Sequence, residues 1–142
     1  MPPKPGIALI TEIHRAVHAI GLRIADEFDI TQAEALVLVL LHPTGSAPLE
    51  DVHSTFLHRR STLTSVLQRL TERGLVERLV DAKDRRRYHI RLTSSGKKKA
   101  AQIDELFSAL VAGSKAGHKE LAAAQRTLMK IVGAATGQSD SA

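Results

Sequence analysis

At Gly74 the apolar period of this chain changes from that of a helix to that of a strand. Before it, Leu63, Val66, Leu67 and Leu70 recur at i, i+3, i+4 and i+7, one apolar face of a helix expected over Arg60 to Arg73. After it, LVERLV (75–80) and YHIRL (88–92) alternate with a period of two. Tyr88, Ile90 and Leu92 fall on one side of the second strand and His89 and Arg91 on the other. The seven residues DAKDRRR join them, so a hairpin with a long charged tip is expected. Gly74 itself suits the left-handed position that ends a helix. A chain that must stop one helix and open a hairpin within a single residue has few folds open to it.

The elements upstream narrow the choice. Ile10, Ile13, Val17, Ile20 and Ile24 form a narrow stripe on a helix expected over Gly6 to Phe28, suited to packing on another helix. Thr31 and Glu34 read as a capping box opening a second helix, whose body ALVLVLL is apolar all round and should lie centrally. Pro43 and Gly45 close it. A short helix from about Leu49 to Phe56 turns Leu49, Val52 and Phe56 inward, and a tight turn near Leu57–Arg59 leads into the helix before Gly74. Helix, tight turn, helix and hairpin make a winged helix-turn-helix, mainly α with a small β-hairpin wing. Thr93 can cap a further helix carrying Ile103, Leu106, Phe107 and Leu110. Gly113 and Gly117 break it, and a last helix runs from about His118 to Val132. The expected organisation is a dimerisation helix over 1–30, the winged domain over 31–93, dimerisation helices over 94–136 and a disordered tail over 137–142.

Charge is distributed unevenly along these elements. Residues 53–99 hold 13 Lys/Arg against 4 Asp/Glu, whereas the rest of the chain holds 7 against 11. The formal net charge of +5 is thus a basic middle between mildly acidic ends. A basic block of this kind is the electrostatic footprint of a nucleic-acid face, or else an arginine-rich solvated surface. The helix before Gly74 favours the first. With its leucines inward, it shows Ser61, Thr64, Ser65 and Gln68 outward, with Arg69 at the edge, and Thr62 joins them as a candidate groove contact. Short hydroxyls, an amide and a guanidinium reach base edges and phosphates in a major groove. An exposed helix face of ordinary composition would carry Glu and Lys, and here only Glu72 interrupts it. Arg85, Arg86 and Arg87 repel one another and gain nothing from folding. At a hairpin tip they can enter a minor groove, whose negative floor attracts arginine. Asp81 and Asp84 are expected to pair with Arg86 or Arg87 and stiffen the loop, leaving Arg85 free. Arg59, Arg60 and Lys97 are candidate phosphate contacts, although Lys97–Lys99 at a helix start also reads as a solvated run.

The stretch from Ser61 to Lys98 resembles the MarR family of multiple-antibiotic-resistance regulators. Ser61, Thr62, Thr64, Leu70, Gly74, Leu75, Val76 and Arg78 match its helix-and-strand pattern, Asp81, Asp84, Arg85 and Arg86 its wing, and Leu92, Thr93 and Gly96 its closing L-T-x-x-G. The order of helices extends the similarity to roughly residues 7–134. The turn FLHRR, with His58, Arg59 and Arg60, is more basic than the family pattern. The resemblance implies an obligate homodimer with interlocked terminal helices, bound to a palindromic operator in double-stranded DNA. It further implies a repressor released by a small anionic or phenolic effector.

Other chemistry is thinly represented. The chain has no cysteine, which excludes disulfides and thiolate zinc sites. No apolar run is long enough to span a membrane, and MPPKPG has no signal-peptide character, so a cytoplasmic location is expected. No nucleophile-elbow or phosphate-cradling glycine motif is present, so neither enzyme activity nor a cofactor is expected. His14 and His18, spaced i, i+4, can supply two metal ligands, but no second pair accompanies them, and no metal is expected. With Arg15 they are instead candidates for an effector pocket suited to a carboxylate. Two rival readings stay open at this point. One is a metal-responsive regulator, and the other a winged-helix module that binds an acidic protein rather than DNA.

Overall fold

The computed structural model describes residues 1–137; the tail expected beyond Gly137 lies almost wholly outside the described residues. Six helices and a small antiparallel sheet follow one another as α1 (Pro5–Phe28), α2 (Gln32–Leu41), β1 (Ser46–Pro48), α3 (Leu49–Thr55), α4 (Arg60–Glu72), β2 (Val76–Val80), β3 (Tyr88–Leu92), α5 (Ser94–Gly113) and α6 (His118–Thr136). The chain forms two compact units. The first ends at Glu105 and holds everything from α1 to the first half of α5. The second begins at Leu106 and holds the rest of α5 and α6.

In the first unit the core is aliphatic. Ile24 of α1, Val37, Leu38 and Leu41 of α2, Val52 of α3, and Leu63, Val66 and Leu70 of α4 are buried with Ile90 and Leu92 of the sheet. The all-round apolar helix is therefore central, as its composition requires. The rest of the stripe on α1 is only partly covered, with Ile13 and Ile20 half-buried. Ile10 and Val17 are 54% and 49% exposed in the single chain.

The sheet holds one strand more than the sequence announced, in the order β1-β3-β2. β1 pairs antiparallel with β3 through Ser46↔Arg91, Ala47↔Ile90 and Pro48↔His89. A three-residue strand ending in proline reads as loop, because Pro is confined to edges and gives no ladder donor. The two expected strands pair in the register Val76↔Leu92 to Val80↔Tyr88.

The junctions behave as their residues dictate. At the end of α4 Gly74 takes φ +70°, the Leu75 amide donates to the Leu70 carbonyl at 2.9 Å, and the Gly74 amide donates to that of Thr71 at 3.0 Å. These two bonds are the Schellman closure that a glycine there permits. At the start of α5 Thr93 Oγ1 accepts the Gly96 amide at 3.0 Å and donates to the Gly74 carbonyl at 2.6 Å. Gly96 is needed for space, since a Cβ there would stand 1.9 Å from the Leu75 carbonyl oxygen. The last helix reaches Thr136, one turn past the expected Val132. None of its residues is buried, and Leu121, Leu128, Met129 and Val132 are all exposed. Among the described residues no helix is long and apolar enough to cross a membrane.

Candidate nucleic-acid interface

The face of α4 opposite its buried stripe is exposed at Ser61, Thr62, Thr64, Ser65 and Gln68, as expected. In the free chain these groups are occupied within the helix. Thr64 Oγ1 donates to the Arg60 carbonyl at 2.8 Å and Ser65 Oγ to that of Ser61 at 3.1 Å, while Gln68 Nε2 donates to Glu72 at 3.1 Å. Each hydroxyl keeps its acceptor lone pairs outward, and rotation about one or two bonds frees its donor. The N-terminus of α4 has no side-chain cap and no acidic residue in its first turn. Its unpaired amides and the positive end of the helix dipole thus point outward beside the exposed Arg59 and Arg60, an arrangement that favours a phosphate.

Arg69 departs from expectation. It keeps the edge of the polar face, half-exposed, but is not free there, because its Nε donates to Glu34 Oε1 at 3.0 Å. Glu34 in turn does not complete the capping box. Its amide donates to Thr31 Oγ1 at 3.2 Å, but its carboxylate is buried against Arg69 and Arg73. Spacing along the chain gave no sign of this pairing, because its partners lie 35 and more residues apart.

The wing is held at its root and its neck. Arg78 lies over the Tyr88 ring, 3.8 Å from its centroid, a cation–π contact between adjacent strands. On the other face Arg91 donates to Glu77 at 2.8 Å. Around the tip the Asp81 amide donates to the Arg87 carbonyl at 2.9 Å. Asp81 does not pair with an arginine. Its Oδ1 accepts the Lys83 amide at 2.8 Å and its Oδ2 meets His89 Nε2 at 3.2 Å. These two bonds, the amide first, hold its carboxyl below the usual value of 3.8. Asp84 accepts the Arg86 amide at 3.0 Å and lies 3.9 Å from Arg87 Nε. Carboxylates thus shape the loop through its backbone, because a turn places amides nearer than long side chains. Arg85, Arg86 and Arg87 are all exposed, and among the described residues no carboxylate pairs with Arg85 or Arg86.

The remaining candidates divide. Lys97 is exposed and stands beside the turn at Gly45. Lys99 is not free in the way a solvated run would be, because its Nζ reaches the Phe28 carbonyl at the end of α1, at 3.4 Å. On α1 the His14 and His18 rings stack with centroids 6.2 Å apart. They line a shallow hollow of about 200 Å³ with Val17, Gly21, Leu22 and Gln32. Arg15 is turned elsewhere and pairs with Glu12 at 2.8 Å, so the expected trio is a pair. Among the described residues no group of three His, Cys, Asp or Glu could hold a metal ion.

Residues 30–88 match the model of the MarR family. The matched segment, less than half of the chain, opens just before α2 and ends at Tyr88, so it takes in α4 and the wing tip. Over 82 residues the chain is 34% identical to the HTH-type transcriptional regulator FarR of Neisseria gonorrhoeae. That match covers 58% of the chain and only 56% of FarR's length. The fold is also that of S. aureus MepR solved with DNA, at 23% identity and a TM-score of 0.75, covering 94% of this chain and 99% of that one. Streptococcus pneumoniae FabT, solved in complex with DNA, is similar at 17% identity and a TM-score of 0.74, covering 94% and 96%. A point mutant of E. coli MarR complexed with operator DNA gives 23% identity and a TM-score of 0.73, covering 89% and 93%. These likenesses identify the winged helix-turn-helix.

Proposed function

We propose that this chain is a MarR-family homodimeric transcriptional regulator that binds double-stranded DNA sequence-specifically, a repressor released by a small effector. The observation that carries the reading is the combination on the first unit of an uncapped α4 N-terminus flanked by Arg59 and Arg60, an outward face of hydroxyls and one amide, and a wing tip whose Arg85 and Arg86 have no carboxylate partner among the described residues. Ser61, Thr62, Thr64, Ser65 and Gln68 would read the major groove. Arg85, with Arg86 and Arg87, would enter the flanking minor groove, while Arg59, Arg60 and Lys97 would hold phosphates. Relatives named as a transcriptional regulator, or solved with DNA, support the same reading.

Dimerisation follows from what the single chain leaves bare. Ile10 and Val17 on α1, and Leu121, Leu128, Met129 and Val132 on α6, are large apolar side chains without cover. A second copy would cover them and place two α4 helices on half-sites one helical turn apart. The hollow beside His14 and His18 is smaller than the roughly 300 Å³ at which ligand sites begin. A second copy would be needed to complete it as an effector site for an anionic or phenolic compound.

The test is binding of the purified protein to its own promoter region across a salt series, with unrelated DNA as competitor. Sequence-preferring binding that weakens steeply with salt is the expected result. Absence of preference, with capture of an acidic protein by the wing instead, would replace DNA by a protein partner.

A further inference from the structure

One buried charge has no part in the contacts proposed above. Glu34, in the first turn of α2, is 3% exposed and is the one charged residue in the core among the described residues. Its Oε1 accepts from Arg69 Nε at 3.0 Å. Its Oε2 has no hydrogen bond and lies 3.7 Å from Arg73 Nη1, which itself donates to the Asp29 carbonyl at 2.6 Å. Two arginines one turn apart, Arg69 in the last turn of α4 and Arg73 at its C-cap, therefore converge on one carboxylate at the corner between α1 and α2.

Cohesion alone does not explain that arrangement. A buried ion pair is often no more stabilising than apolar residues of the same volume, although removing one partner is costly. The surrounding core, with Ile24, Leu38 and Leu70 fully buried, is already aliphatic. Directionality is what the pair adds. Apolar burial is non-directional, so the Leu63, Val66 and Leu70 stripe fixes which side of α4 faces inward more firmly than it fixes the roll of the helix. At 100° per residue, Arg69 and Arg73 lie on one flank of α4, between that stripe and the Ser61, Thr64, Ser65 and Gln68 face. The opposite flank, at Leu67 and Thr71, borders a hollow of about 380 Å³ shared with Leu49, His53, Arg78 and Ile90. Packing resists rotation weakly on that side, and the carboxylate clasp resists it on the other.

We infer that Glu34 is a positioning residue for DNA binding, acting through Arg69 and Arg73 to set the roll at which α4 meets the major groove. This rests on the DNA-binding reading and removes Arg69 from the direct contacts. Specific affinity is to be measured against salt for the full-length wild type, Glu34→Gln, Arg69→Gln and the double variant, with the dimer mass and thermal unfolding of each. Both single variants are expected to lose on the order of tenfold in specific affinity, about the worth of one good base contact. Non-specific binding and the salt slope should be unchanged, and the double variant no weaker than either single. Retained or tighter binding by Glu34→Gln would overturn the proposal. So would a salt slope lowered by about one in Arg69→Gln, which would make Arg69 a phosphate contact. Where leaving Glu34 without its partner unfolds Arg69→Gln, Arg69→Lys takes its place, since it keeps a cation beside the carboxylate but not the guanidinium fork, and it too is expected to lose specific affinity. A wild type without sequence preference would instead bring down the DNA reading itself, before any variant is compared.

Discussion

Asp81 does more for the wing than its charge suggests. It closes the neck of the hairpin by accepting the Lys83 amide and meeting His89, and both bonds favour the ionised carboxyl. Its folded pKa lies below the unfolded one, so the stability it contributes is present above the unfolded value and is lost as pH falls through the folded one. Replacing Asp81 by Asn is therefore expected to lower stability at neutral pH. The gap to wild type should close as pH falls below about 3.8, which denaturant unfolding across a pH series would measure. Arg85, four residues on, is expected to behave in the opposite way. Arg85→Ala should leave unfolding unchanged but weaken operator binding and lower the salt slope by about one, as for any lost cation on the DNA backbone. Unchanged affinity by fluorescence anisotropy would mean that the tip points away from the duplex.

At the scale of elements, the period change at Gly74, the leucine stripe of α4 and the hairpin were legible in the sequence because each is a local pattern. Residues four apart on a helix or two apart on a strand share a face whatever surrounds them. The strand β1 was not legible, since Pro48 and two small residues carry no strand signal and pair only because β3 offers an open edge. Nor were the Glu34–Arg69 and Asp81–His89 pairs, which depend on how elements meet rather than on spacing within one. The L-T-x-x-G stretch was legible as a motif and needed coordinates for its reason. Thr93 ties α5 to the end of α4, and Gly96 lets the backbone of α5 and the Leu75 carbonyl touch. Gly96→Ala is expected to destabilise the fold by roughly 1–3 kcal/mol or more, as overpacking against a backbone atom does. Chemical denaturation would measure it, and a change under about 0.5 kcal/mol, the surface-substitution range, would mean that α5 can shift freely.

For the whole molecule, the sequence marks the terminal helices as dimerisation helices, and in the single chain large apolar side chains of α1 and α6 stand exposed. Met129 is 64% exposed in the single chain. A charge there costs a monomer almost nothing and an apolar seam a great deal. Met129→Glu is accordingly expected to convert the proposed dimer to monomer at micromolar concentration, with helical content retained. Sedimentation velocity and far-ultraviolet circular dichroism would read the two together, and an unchanged dimer mass would move the seam off this face.

Under the proposed pairing those bare stripes would also govern how the chain responds to its own abundance. While single copies predominate, filling a two-part target would require two of them at once, so occupancy would climb with the square of the amount made. Doubling expression in that regime would quadruple occupancy, and a modest fall would empty the site, giving a dosage threshold without any added ligand.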